Sequence, residues 1–308
     1  MSLGTNHNSS TTLAPFIPEI WGQQINEYFR EDLKFASFFT DRSEELADGG
    51  DTLHTPNVTA MTANLKVPGY EVTLNNTTEQ DVDLVVSTHY EVSFLIEDKE
   101  VAQMKKSYNL QMQKAKDAGY EAAATLESAI ATLFAGFSTS VGASTTNIAD
   151  SDILAAIATL ASNKVTGMKQ DGTPGQDVNF IFHPNTWYRQ VCAIDRFALA
   201  QNSPGNNPAG SRPMFSVYGI PAIVSANVPY VTGTTGRVNL LAHRDAIHWA
   251  KASLPSTPGS FTGTEGVRVQ TNYIPQYLGW LTTADILFGC VENRDNAAVK
   301  ILTHATKA

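Results

Sequence analysis

The strongest constraint in the chain is a long helical period between Asp98 and Phe137. Val101, Met104, Tyr108, Met112, Ala115, Gly119, Ala122, Leu126, Ile130, Leu133 and Phe137 recur three and four residues apart. At ~100° of turn per residue they fall within about 80° of one another around the axis. An apolar stripe held this long predicts one amphipathic helix, roughly 60 Å in length at ~1.5 Å per residue. Few compact enzymes need such a rod. Asp98 and Glu100 suit its positive end, and Gly136 with the Ser/Thr/Gly run after it ends the pattern. Gly119 is a weak point, costing about 1 kcal/mol against Ala. Directly before the helix, Val82, Leu84, Val86, Thr88, Tyr90, Val92, Phe94 and Ile96 alternate with a mainly polar set. That period of two predicts a long, half-buried strand running straight into the helix.

The flanking stretches read differently. Residues 1–14 are polar and low in complexity, followed by an aromatic arm from Phe16 to Phe39 with helical spacing that needs a surface to cover. From Thr52 to about Thr78, two extended segments broken by Pro56, Pro68 and Gly69 predict a hairpin projecting from the body. Thr59 to Glu79 has no evident partner in its own chain. Its apolar residues Met61, Leu65, Val67, Tyr70, Val72 and Leu74 are therefore candidates for contact between subunits.

After Phe137 the run STSVGASTTN marks a boundary. A second module follows, with a helix over Asp150–Ser162 carrying Ile153, Leu154, Ile157 and Leu160 on one face. A buried strand at Val178–His183 comes next, then a helix with Trp187, then a polar loop over 201–213. Strands are predicted at Val217–Val228, Val238–His243, Ala246–Lys251, Tyr277–Phe288 and Ala298–Leu302. The scaffold strand at 82–96 is the expected partner of the C-terminal ones.

Composition narrows the function. Charged residues make up only 17% of the 308, which favours association, and the net charge of −9 is wrong for a dedicated nucleic-acid reader. It leaves room for a protein that merely encloses nucleic acid. Two distant cysteines, Cys192 and Cys290, make no disulfide framework or metal cluster, and the expectation is a reducing cytosol. The start lacks a basic secretory n-region, and no apolar run is long enough to span a bilayer. No GxSxG, HExxH, P-loop or GxGxxG stands where its mechanism requires. His183 with Cys192, His243 with His248, and Asp81 with Asp83 are read as core, turn and solvated groups. No catalytic, cofactor or metal residue is assigned. Lys99, Lys106 and Lys114 lie opposite the apolar stripe, and a solvated face is the favoured reading. The functional alternative is non-specific, salt-dependent contact with polyphosphate.

In this order the chain resembles a tailed-bacteriophage major capsid protein of the Hong Kong 97-like fold. VDLVVSTHYEVSFLIEDKEVAQ resembles the strand-to-spine junction of such coats, and FIFHPNTWYRQV their axial strand and helix. YGIPAIVSANVP resembles a Gly-x-Pro-x-x-x-Ser-x-x-x-Pro passage, and GCVENRDNAAVKI the closing strand. The resemblance implies an α+β fold with an N-terminal arm over 1–50 and an extended β-hairpin loop over 51–81. The peripheral-domain strand and long spine helix would take 82–137, an axial domain 138–263, and C-terminal peripheral strands 264–308.

It also implies a non-enzymatic shell protein that assembles with itself into hexamers and pentamers around double-stranded DNA. It would be made in the host cytoplasm and located in the virion, with no membrane partner. Portal, scaffolding or decoration proteins are further partners the resemblance allows. No cross-linking Lys/Asn pair aligns, and the short N-terminus points to a separate scaffolding protein. A bacterial encapsulin shares the fold but holds protein cargo; the low-complexity start and the strand-to-helix junction favour the phage coat. A cytosolic enzyme is the alternative from another class, disfavoured by the missing site and the projecting hairpin.

Overall fold

The computed structural model describes residues 33–46, 49–58, 61–75, 80–103, 110–165, 177–195, 197, 216–255, 263–264 and 267–306. The arm up to residue 32, Met104, Lys106, Tyr108 and the 201–213 loop lie outside them. In chain order the strands before the second module are β1 (Thr40–Asp41), β2 (Thr52–Asn57), β3 (Gln80–Val85) and β4 (Thr88–Glu97). Then come β5 (Ser140–Gly142), β6 (Val178–Phe182), β7 (Ser216–Val217), β8 (Ile220–Val224), β9 (Gly236–His243) and β10 (Ile247–Lys251). The last are β11 (Leu254–Pro255), β12 (Gly263–Thr264), β13 (Arg268–Ile274), β14 (Gly279–Glu292) and β15 (Ala298–His304). The helices are α1 (Phe35–Phe38), α2 (Asp98–Gln103), α3 (Leu110–Leu133), α4 (Asp150–Ser162) and α5 (Pro184–Arg189).

One sheet is built on β14. It pairs antiparallel with β4 on one side, from Gly279↔Glu97 to Phe288↔Thr88, and with β13 and β10 on the other. β1 runs parallel to β10 at the edge. Alternation along β14 buries Thr282, Ala284, Ile286 and Phe288 on one face. Ile286 and Phe288 share a core with Ala122, Leu126 and Ile130 of α3 and with Phe35, Phe39 and Phe134. The aromatic residues that close the arm segment thus pack into the body.

The second sheet has the order β5-β15-β9-β6-β8-β7. Every residue of β9 is buried, because both of its faces are covered. Val238, Leu240 and Ala242 face the α3 core, while Leu241 joins Ile153, Ala156 and Leu160 of α4. A small hairpin of β11 and β12 stands apart.

Several expectations need correction. The strand read from Val82 to Ile96 is two strands, β3 and β4, because the chain breaks at Val86–Ser87 to change partners from β2 to β14. Gly289 permits the crossing, since a Cβ there would lie 2.1 Å from Val85 O. Val217–Val228 is a tight hairpin, not one strand, turned by Tyr218 and Gly219 with φ of 51° and 79°. Leu154 is exposed rather than part of the buried α4 face.

The C-terminal strands also divide. β14 returns to β4 as expected, but β15 pairs with β9 and β5. A short turn at Asp295–Ala297 separates them. Asp295 holds that turn by accepting hydrogen bonds from the Ser138 N–H (2.6 Å) and hydroxyl. Those bonds keep its carboxyl below the usual range against a smaller effect of burial.

The helix itself is described as α2 and α3, with Phe134 and Phe137 buried just beyond its end at Leu133. Among the described residues its stripe is not evenly buried. Ala122, Leu126 and Ile130 are buried, while Val101 and Met112 are 51% and 56% exposed.

Candidate functional site

The projecting loop is anchored by β2 and β3, paired from Thr52↔Val85 to Asn57↔Gln80. Alternation gives this hairpin two faces. Leu53 and Leu84 point inward to Leu46, Val86 and Ala250, forming a small apolar contact with the body. His54, Asp81 and Asp83 point outward. Beyond the root the loop is held by local side-chain bonds instead of a strand ladder. The Asn64 amide donates to Asn75 Oδ1 (3.0 Å), and the Asn75 amide to Thr62 O (2.7 Å). The tip is a turn, Val67-Pro68-Gly69-Tyr70, with the Tyr70 N–H bonded to Val67 O (3.3 Å). Proline presets its first corner and Gly69, at φ 84°, supplies the positive φ of the second.

All six apolar residues singled out from the sequence lie on this loop and face solvent. Met61, Leu65, Val67, Tyr70, Val72 and Leu74 are 50% to 93% exposed. Val58, which the sequence reading passed over, is exposed with them. Isolated exposed apolar side chains are ordinary, but this many on one thin projection are not. A second exposed apolar group sits where the β13–β14 hairpin meets α2. Tyr273 stacks edge-on against Trp280 with ring centres 5.2 Å apart and donates from its hydroxyl to Asp98 (2.9 Å). Both aromatics stay about 40% exposed, beside the uncovered Val101. The sequence carried no signal for it, because it depends on how far α3 covers the sheet.

Of the spine lysines, Lys99 and Lys114 are exposed and Lys106 lies outside the described residues. Lys114 is not simply solvated: its ammonium lies 5.9 Å from the centre of the Phe94 ring.

Groups that invited a catalytic reading have structural duties. His183 Nδ1 accepts the Asn185 N–H (3.1 Å) and so caps α5. His243 Nδ1 accepts the Asp245 N–H (3.2 Å) in the same way. Burial pushes the thiols of Cys192 and Cys290 up, away from the thiolate a nucleophile needs. Asp285 accepts from Arg268 Nε (2.9 Å) and Nη2 (2.5 Å) and faces His89 Nε2 (3.0 Å), tying β13, β14 and β4 together.

Asp81 and Asp83 are not a lone solvated pair. His54 Nδ1 lies 2.6 Å from Asp83 and 3.5 Å from Asp81. These three offer metal-ligating atoms within 4.8 Å of one another, but all are exposed and the imidazole is already engaged by Asp83. The least visible contact from sequence is Glu127. Buried in α3, its carboxylate accepts the N–H groups of Lys34 (2.6 Å), Phe35 (2.8 Å) and Ala36 (3.2 Å), fixing where the arm meets the body.

No family model matches the chain, and no curated protein matches it by sequence. Solved structures do. A structure from Mycobacterium phage Che8 is similar with a TM-score of 0.73 at 17% identity, over 93% of this chain and 97% of that one. The capsid structure of cyanophage P-SCSP1u is similar at 0.69 and 16%, over 99% and 97%. The mature capsid of bacteriophage PhiM1 is similar at 0.67 and 13%, over 92% of each chain. Sheets, helix and projecting loop together make an α+β, Hong Kong 97-like fold, shared with these phage structures.

Proposed function

We propose that the chain is the major capsid protein of a tailed bacteriophage. It assembles with itself into hexamers and pentamers of an icosahedral shell around double-stranded DNA. The observation that carries this reading is the pairing of a whole-chain likeness to capsids with a loop whose apolar residues stay exposed among the described residues. On this reading residues 61–75 lie over a neighbouring subunit, where burial of Leu65, Leu74 and their neighbours drives assembly at about 25 cal/mol per Å² of apolar surface.

The β14 sheet with α3 serves as the peripheral domain and the β9 sheet as the axial domain. Their sequence boundaries then interleave, since β10 belongs to the first and β15 to the second. The aromatic arm covers a surface of the body or of a neighbour. Lys99, Lys106 and Lys114 face the lumen and touch packaged DNA without reading its sequence. The protein acts structurally, in the virion after assembly in the host cytoplasm, with portal, scaffolding or decoration proteins as additional partners.

Electron microscopy of the purified protein, with nuclease-protected DNA measured on the same particles, tests the reading. Uniform shells with protected DNA support it. Shells filled with protein would favour an encapsulin, and a soluble monomer at high concentration would overturn shell formation.

A further inference from the structure

Outboard of the apolar contact at the loop root, the inner face of β2 opposes a polar cleft. Thr55 and Asn57 form one wall, and Arg42, His248, Asn293 and Arg294 form the other. Two guanidinium groups there have donors to spare. Arg42 pairs with Glu45 through Nη1, but its Nε is buried with no acceptor. Arg294 is exposed and, among the described residues, its side chain makes no hydrogen bond or ion pair.

One acid is nearby. Asp245 also lines the cleft, and one oxygen of its carboxylate accepts from the Thr40 hydroxyl (2.7 Å). The Asn293 amide donates to Asp245 O (3.0 Å) and faces His248 Nε2 (3.2 Å), which makes that nitrogen an acceptor and places the proton of neutral His248 on Nδ1. Burial lowers the His248 pKa, and the charges of Arg42 and Arg294 lower it further against opposing effects of Asp245 and Glu45.

We propose that this cleft is a binding site for a small oxyanion, a carboxylate or phosphate group held between the Arg42 and Arg294 guanidiniums. The planar donor fork of arginine matches such groups, and charge-assisted bonds are about twice as strong as neutral ones. Both guanidiniums stand on the body wall and face Thr55 and Asn57 of the loop root, so an anion that also accepts from the Thr55 hydroxyl or the Asn57 amide ties root to body and stiffens the direction in which the loop projects. The oxyanion comes either from solution or from an acidic side chain of a second copy. Only the second source rests on the capsid reading.

Titration of inorganic phosphate into unassembled protein at constant ionic strength, followed by NMR, tests the site. The expected result is a saturable shift at Arg294 and His248, with the His248 titration midpoint moving up as the anion favours its charged form. Arg294→Gln, at an exposed side chain, should weaken phosphate about tenfold while the fold, checked by circular dichroism, is kept. Arg42→Lys should weaken it as well. No saturable shift, or unchanged affinity in Arg294→Gln, overturns the proposal. In assembled particles, exclusion of phosphate would identify a side chain of a second copy as the occupant. Unchanged phosphate binding there would identify the dissolved anion.

Discussion

Ile130 in α3 and Leu65 in the projecting loop are of similar size and hydrophobicity, yet one is 0% and the other 93% exposed. Ile130 has its partners in its own chain: the helical period brings it to Ile286, Phe288 and the aromatic residues at 35–39. Leu65 sits on a loop whose described contacts are polar side-chain bonds and a turn. The same contrast recurs within the spine, between buried Leu126 and exposed Val101. Apolar residues with a partner in the chain build the fold. On the proposed reading, those left exposed together on one projection are where a second copy docks, because apolar area left in water is free energy still to be gained.

The comparison breaks most sharply if the loop proves indifferent. Leu65→Asp combined with Leu74→Asp should leave the melting temperature nearly unchanged and abolish assembly, measured by size exclusion and electron microscopy. Normal shells would remove the loop from assembly. At the buried end, Ile130→Ala should cost ~2–5 kcal/mol of unfolding free energy in denaturant titration. A loss no larger than at an exposed site would mean that the α3 core is loosely packed. Glu127→Ala should cost about 1–3 kcal/mol, because three N–H groups at the arm junction lose their acceptor. Glu127→Gln keeps a carbonyl acceptor and should recover part of that loss, with proteolysis near Lys34 as a second readout.

The smallest effect belongs to the loop root. The hydrogen bond and charge of Asp83, with help from Asp81 and against slight desolvation, raise the His54 pKa above its ordinary 6.5. A raised pKa means that the contribution is fully present below the unfolded value and is lost as pH rises through the folded one. Amide exchange in β2 and β3 should therefore quicken as pH rises through the His54 midpoint, beyond the intrinsic pH dependence, and His54→Ala should remove that extra step.

Much of this contrast was legible in the sequence, for physical reasons. Periods of 3.6 and 2 identified α3, α4 and the β4-to-α2 junction, a buried apolar run identified β6, and Pro68 and Gly69 were legible as breaks in the projecting segment. Contacts fixed only by register or by long-range closure were not legible. His54 meets Asp83 because of a pairing register that no residue announces, and Glu127 meets Lys34 across 93 positions. The break at Val86 was hidden because alternation continues through it, and only Gly289 on the opposing strand permits it. The exposure of Val101 and Met112 was hidden likewise, since periodicity reports a face and not what covers it.

Cryo-electron microscopy of the purified protein, at a resolution that shows side chains, tests the central claim most directly. The account predicts closed icosahedral shells in which Met61, Leu65, Val67, Tyr70, Val72 and Leu74 are buried against a neighbouring copy. Shells in which residues 61–75 stand free in solvent, or a protein that remains monomeric at high concentration, would contradict it.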